Sequence, residues 1–332
     1  MSTPSIIVFS LVAAFIPSLV YTLLIWWLDR YEREPLRLMV VAFLWGAVPA
    51  MLFSVFLEFA LGRPFASVEP VLLHDVATNS LVAPVIEELA KGFALLILFF
   101  LARNQFDSVL DGIVYGAVIG FGFAMTENAL YFFEVLRDGQ VAQFTSIVAL
   151  RSLLFGLNHA FYTAIIGAGF GLAAELRPED RAARVLLPAA GLALAIAFHA
   201  VHNLGIMLAS TSQAALLVAI LVNWGGVALI LVIVLLAWRQ ERRWITSELR
   251  AEVGYTLSPA EYEAAASYGY RLRMWLKTWR SQGWRAARRG SLQHHLVTRL
   301  AFLKHRLHRD GDSAALREQI AQVRAQLAQS RR

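Results

Sequence analysis

Apolar runs of about twenty residues or more alternate with short polar loops as far as about residue 238. They fall at about 5–28, 38–60, 81–101, 109–133, 147–173, 185–209 and 214–238. An α-helix needs roughly 20 apolar residues to cross about 30 Å of hydrocarbon. Inside hydrocarbon the backbone must also satisfy its own hydrogen bonds, which leaves helices or closed barrels. The pattern predicts an all-α fold: a polytopic membrane helix bundle of about seven transmembrane helices over 1–240, and a C-terminal helical tail over 241–332. The first run has no basic segment ahead of it and closes on Trp26 and Trp27. It reads as an anchored span rather than a cleaved signal.

Beyond the last run the period changes. Ser258-Pro259-Ala260-Glu261 has the form of a capping box with proline at the first helical position. Leu296, Leu300, Leu303 and Leu307 make one amphipathic stripe, and Leu316, Ile320, Val323 and Leu327 make another. They predict a helical hairpin that packs on itself or on the membrane face. Trp275, Trp279 and Trp284 stand among arginines, a composition suited to the interface.

Composition sharpens this picture. The 332 residues are 58% hydrophobic and 16% charged, where soluble domains carry about 25% charged. The absence of cysteine excludes disulfides, thiolate metal sites and cysteine nucleophiles. The net charge is +6, but from Arg239 onward the chain holds 17 Arg and 2 Lys against 8 acids. Basicity confined to one tail points to topology and anionic membrane lipid, not to a nucleic-acid partner.

Ionisable residues inside spans are costly and tend to be functional. The third run carries Glu87, Glu88 and Lys91, and the fourth carries Phe123, Glu127 and Asn128. The fifth carries Arg151, Asn158 and His159, and the sixth His199, His202 and Asn203. At a rise of about 1.5 Å per residue, Glu87 and Glu127 lie roughly 9 Å below the outer boundary. His202, His199 and His159 lie at roughly 10, 15 and 18 Å on the same count. Overlapping depths on four helices predict one site.

Each member also has a plainer reading. Glu87-Glu88-x-x-Lys91 can be an ion-paired helix joint, and His202 an interhelical hydrogen bonder. Arg151 reads as structural, paired with an acid or snorkelling. Gly116, Gly120 and Gly122 read as helix-packing positions, and Glu58 and His74 as solvated near the outer boundary. The convergence favours function for the group. A glutamate can act as general base on water, and a histidine can hold that water, protonate a leaving amine or stabilise an oxyanion. Asn203, four residues after His199, can donate to the same oxyanion. No Ser or Thr completes a triad, so water is the preferred nucleophile.

Several segments together resemble the PrsW family of membrane-embedded proteases. They are Asp29-Arg-Tyr-Glu-Arg-Glu-Pro35, Pro84-Val-Ile-Glu-Glu-Leu-Ala-Lys91, Asp111-Gly-Ile-Val-Tyr-Gly116, Gly120-Phe-Gly-Phe-Ala-Met-Thr-Glu-Asn128, Asn158-His159-Ala160 and His199-Ala-Val-His-Asn203. They run in order from about 29 to 205 and leave the tail uncovered. The family is similar in motif layout to the CAAX-processing and bacteriocin-processing proteases, whose paired glutamates, Phe-x-x-x-His and His-x-x-x-Asn form a water-activating site. The resemblance implies catalytic roles for Glu87, Glu88, Glu127, His159, His199 and Asn203, supported by Lys91, Asn128, His202 and Phe123. Glu127 stands where the wider group has histidine, and His159 is placed to supply that imidazole. A single-span membrane substrate, an anti-sigma factor cut in site-1 fashion to start regulated intramembrane proteolysis, is implied too. Glutamate-dependent chemistry is favoured and no cofactor is called for, although His and Glu ligands in this number also suit zinc. The rival classes are a proton-coupled transporter, which should show two related halves, and an inert membrane scaffold.

Loop charges predict orientation in a bacterial inner membrane. Arg30, Arg33 and Arg37, then Arg103, then Arg177, Arg181 and Arg184 alternate with poorer loops holding Arg63, Arg137 and no base. Positive-inside places the N-terminus outside and the tail in the cytoplasm. Cysteines introduced at positions 73 and 212 should therefore react with an impermeant maleimide on intact cells. Labelling at position 181 instead overturns the orientation.

Overall fold

The computed structural model describes residues 2–31, 33–62, 71–103, 105–177, 179–311 and 313–330. Arg63, one of the bases counted for orientation, lies outside them. The chain divides into two compact units. The first comprises Met1–Leu28, Glu34–Leu176 and Asp180–Ile233, and the second Asp29–Arg33, Arg177–Glu179 and Val234–Arg332.

The first unit is a helical membrane bundle. Its helices are α1 (Thr3–Leu28), α2 (Leu36–Trp45), α3 (Met51–Gly62), α4 (Val71–Ala77), α5 (Ala83–Leu101), α6 (Val109–Arg137), α7 (Val141–Ala149), α8 (Asn158–Glu175), α9 (Arg181–Met207) and the start of α10 (Gln213–Leu249). Six helical stretches among the described residues are long and apolar enough to cross a membrane. The expected seventh, 81–101, is present as α5, but Glu87, Glu88 and Lys91 make it too charged to count on composition. The residues that build the site are the ones that disguise its helix.

Three apolar stretches are less regular than their sequence suggests. π-helical turns at Gly46–Ala50, Thr78–Val82 and Leu150–Leu154 lead into α3, α5 and the break before α8. Pro49 lies inside the first, and Pro84 follows the second at the start of α5. Each proline lacks the amide a regular turn would use. After the third turn the chain breaks at Phe155–Leu157, so the run read as one span over 147–173 restarts at Asn158. A Cβ at Gly156 would lie 2.1 Å from the Ser152 carbonyl oxygen, so only glycine fits this corner.

Helix α6 is the centre of the unit. Of its apolar stretch 89% is buried, against 22% for α1, whose side chains mostly face outward. Ser108 and Asp111 start it with a reciprocal capping box. Gly112, Gly116 and Gly120 then form a stripe four residues apart that meets α8 backbone to backbone. Added Cβ atoms there would sit 2.0 Å from the Gly167 carbonyl oxygen, 2.4 Å from that of Thr163 and 2.4 Å from that of His159. Small residues permit such approach without a hydrophobic drive between helices. Gly122 serves the other side, facing the Phe43 carbonyl of α2. Glu34 accepts a short hydrogen bond from Tyr115 and tethers the entry to α2 against α6.

The second unit has its own core. After α10 come α11 (Pro259–Ala266), α12 (Tyr268–Gln282), α13 (Trp284–Asp310) and α14 (Ala314–Gln329). Ser258 and Glu261 form the expected capping box. Both leucine stripes turn inward: Leu300 and Leu303 join Leu316, Ile320, Val323 and Leu327, with Leu296 and Leu307 packed beside them. Tyr31, from the short loop after α1, is part of that same core. Arg30 lies over the Trp238 ring at 3.4 Å. Burial and the Arg271 guanidinium push His294 down to about 3, which leaves this imidazole neutral.

The glycine stripe makes a quantitative demand. Gly120→Ala forces a Cβ onto backbone that cannot give, and overpacking of this kind costs about 1–3 kcal/mol. Gly225→Ala, in a position with no atom within 4 Å, is the control. Thermal unfolding in detergent should show a clear loss for the first and none for the second. Equal melting of the two variants contradicts the packing.

Candidate active site

The corner that restarts α8 places Asn158 and His159 in its first turn. The glycine stripe brings that turn against α6, where Glu127 and Asn128 face it. From α5 come Glu87, Glu88 and Lys91, all buried, and from α9 come His199 and His202. Four helices thus supply one cluster, as their matching depths predicted.

Lys91 is its hub. Its Nζ lies 2.6 Å from Glu88 Oε1, 3.5 Å from Glu87 Oε2 and 3.2 Å from His159 Nδ1. It also stands 4.3 Å above the Phe123 ring, a cation–π contact. A carboxylate only accepts hydrogen bonds, so each histidine nitrogen facing one carries the proton. His159 Nε2 therefore donates to Glu127 Oε2 at 2.8 Å, and His199 Nδ1 donates to Glu88 Oε1 at 2.9 Å. The opposite ring nitrogens keep their lone pairs. Phe123 and Tyr162 fix the rings: Phe123 lies 5.2 Å from His159, and Tyr162 stacks on His199 at 4.7 Å.

The sequence reading of Arg151 as a partner for an acid holds. Its Nη2 donates to Glu127 Oε2 at 2.7 Å and its Nε to Asn128 Oδ1 at 2.6 Å. The guanidinium also rests 3.8 Å from the Tyr131 ring centroid. His202 meets Asn158 at 2.8 Å, an interhelical hydrogen bond. Asn203 lies on the cavity wall, outside the carboxylate–imidazole cluster, and its Nδ2 donates to the Asn79 carbonyl at 2.8 Å.

These groups border a cavity of about 350 Å³. Glu87, Glu127, His159, His199, His202 and Asn203 line it, whereas Glu88 and Lys91 stand behind the wall. Tyr162 and Glu58 line it too, and both went unassigned from the sequence. Glu58 was read as solvated near the outer boundary, and the structure adds that its partly covered side chain borders this cavity. It lies on the inward stripe of α3 with Met51 and Ser54, while Leu52, Phe53, Val55, Phe56 and Phe59 face outward. That spacing was legible; distance from the other motifs hid its meaning. Buried polar atoms around the cavity with no hydrogen-bond partner among the described residues include Glu88 Oε2, Tyr162 Oη and His202 Nδ1.

Glu87, Glu88, His159 and His199 each offer a donor atom, and all four atoms lie within 4.8 Å of one another. Two carboxylates and two imidazoles are a donor set that zinc accepts. His159 is also oriented by a carboxylate outside the set, Glu127 on its far nitrogen, the usual support for a metal-binding histidine. The residues fit a metal ion, and the Lys91 ammonium is the cation that shares three of these donors here.

Comparison with known proteins follows the same residues. The model of the PrsW family intramembrane metalloprotease matches residues 34–239. Protease PrsW of Geobacillus kaustophilus (strain HTA426) is 33% identical over 167 residues, which are 50% of this chain and 67% of that protein. Protease PrsW of Bacillus subtilis (strain 168) is 32% identical over 146 residues, 44% of this chain and 60% of the relative. That of Clostridioides difficile (strain 630) is 28% identical over 156 residues, 45% and 62% respectively. The matched stretch thus spans about two thirds of these relatives or somewhat less. No solved structure matches.

Arg151 closes the network from outside, which can be measured. Arg151→Met removes two hydrogen bonds to polar partners, one of them charged, and should cost about 2 kcal/mol or more of stability. Arg151→Lys should fall between, since an ammonium cannot reproduce the fork. Denaturation in detergent gives the order; a Met variant as stable as the parent shows the contact to be idle.

Proposed function

This chain belongs to the PrsW family of intramembrane metalloproteases, and we propose that its cavity is the active site of an endopeptidase. The substrate is a single-span membrane-anchored protein, cut near the extracytoplasmic end of its span. The observation that carries this reading is the convergence of Glu87, Glu88, His159 and His199 inside a helical membrane unit. A structural ion pair requires one acid and one base. Here two acids and two imidazoles surround one lysine, beside a cavity they partly line.

The two glutamates divide the work. Glu88 is held by Lys91 and His199 behind the wall, so it orients both. Glu87 faces the cavity and is held more loosely, 3.5 Å from Lys91 and 3.8 Å from His159 Nδ1, which leaves it the general base for the attacking water. It takes the water proton, the water oxygen bonds to the scissile carbonyl carbon, and the carbonyl electrons move to oxygen. Tyr162 Oη, unpartnered among the described residues and on a lining residue, is a donor for that oxyanion. Glu87 then returns the proton to the leaving amine as the carbon–nitrogen bond breaks. Glu127 and Arg151 hold His159 in its orientation. A zinc ion held by Glu87, Glu88, His159 and His199 would polarise the carbonyl and acidify the water. Metal analysis of purified protein, with and without chelator, reports whether that chemistry is in use.

An anti-sigma factor is the substrate that the family resemblance implies, and the orientation with the N-terminus outside belongs to the same proposal. Cleavage of candidate single-span proteins by matched, folded variants tests the mechanism. Glu87→Gln keeps volume and hydrogen bonding but cannot take a proton, and should slow cutting by about 10²–10⁴. Glu88→Gln and His199→Ala should be comparably slow, and His202→Ala milder. Glu87→Gln and Glu88→Gln proteins that both cut at the parent rate exclude glutamate-activated water.

A further inference from the structure

Among the described residues three acids line the cavity, and the chemistry above uses two of them. Glu127 neutralises Arg151 and orients His159, and Glu87 faces the water. Glu58 is left over. Among the described residues its carboxylate makes no hydrogen bond and no ion pair. It sits on α3 beyond Met51 and Ser54, on the stripe that turns inward, and it is only partly covered. An ionisable residue inside a membrane span is costly and tends to mark a substrate or ion pathway.

The balance of charge around it says which sign that charge has. Among the described lining residues Arg151 is the only Lys or Arg, and Glu127 and Asn128 hold its guanidinium. Lys91 stands behind the wall, bound to Glu88 at 2.6 Å. The described wall therefore sets three acids against one arginine, and the Glu58 carboxyl has no hydrogen-bond partner there. We propose that Glu58 is a specificity-determining acid, the subsite that receives a lysine or arginine side chain of the substrate close to the bond that is cut. A basic side chain entering the cavity exchanges its water shell for a charge-assisted hydrogen bond to Glu58. Its long aliphatic stem suits the apolar part of the wall, where Leu150, Ile206 and Met207 lie. This assignment rests on the endopeptidase reading and adds to it a substrate class: anchored proteins with a basic residue at a fixed distance from the cut.

The test uses full-length protein in proteoliposomes. The probes are synthetic single-span peptides, identical except for Lys, Arg, Gln or Glu scanned through the positions flanking the cleavage point. With the parent protein, Lys or Arg at one position should raise kcat/KM over Gln by about tenfold, the size of one hydrogen bond to a charged group. Glu58→Gln should bring that ratio close to one, Glu58→Asp should keep it in part, and Glu58→Lys should shift the preference to Glu at the same position. Thermal unfolding checks that each variant is folded. A parent protein that cuts the panel with no basic preference at any position overturns the subsite and leaves the protease reading standing. A preference that survives in Glu58→Gln overturns it as well. If the parent cuts no peptide of the panel, the endopeptidase reading fails and the subsite with it.

Discussion

An ammonium group without solvent exposure must find its counter-charges inside the protein, and Lys91 does so within one turn of its own helix. Glu88 at 2.6 Å and Glu87 at 3.5 Å are its i−3 and i−4 neighbours, so α5 carries the means of its own neutralisation. Two acids for one base leave an excess, and the rest of the unit is arranged around that excess. His199 caps Glu88, His159 reaches Lys91, and Glu127 with Arg151 caps His159. Removing one partner of such a buried pair leaves a charge with nowhere to go, typically at about 3–5 kcal/mol.

That network needs α5, α6, α8 and α9 at close range, and it cannot draw them together alone. Lipid tails are as apolar as leucine, so burial of apolar side chains gives little drive between spans. The glycine stripe of α6 provides the approach instead, with the α8 backbone resting on Gly112, Gly116 and Gly120. Gly120 meets the carbonyl of His159 itself, so one contact of the glycine stripe and the imidazole of the site share one residue. The break at Phe155–Leu157 completes the arrangement by opening α8 at Asn158, where two side chains of its first turn face the cavity. π-helical turns often mark functional sites, and here two of the three carry cavity residues, Asn79 and Arg151.

The chemistry of the site and its architecture have separate sources in the chain. Glu87, Glu88 and Lys91 form a local pattern whose partners are fixed by helical spacing. Glu127, His159 and His199 stand on separate, mainly apolar helices, and along the chain it is their overlapping depth that groups them. Asn203 shares the cavity wall with His199 and donates to the Asn79 carbonyl, which the π turn at Thr78–Val82 brings close. Periodicity gives the face of a helix, not the neighbour that waits there.

Length and polarity of the apolar runs determined the helices, since hydrocarbon leaves no other backbone solution, and the stripes of leucine determined the hairpin of α13 and α14. The grouping of acids and histidines at one depth determined that a single site exists. The tertiary structure decided what depends on contact between distant segments. It placed Tyr31 in the core of the second unit, reopened the fifth apolar run at Asn158, and set Glu88 behind the cavity wall with Glu87 in front. It also brought Glu58 to the cavity, although nothing near residue 58 in the chain shares its chemistry. Helical period and membrane depth are one-dimensional and can be read along a sequence; which of two adjacent carboxylates meets water is decided by the helices packed around them.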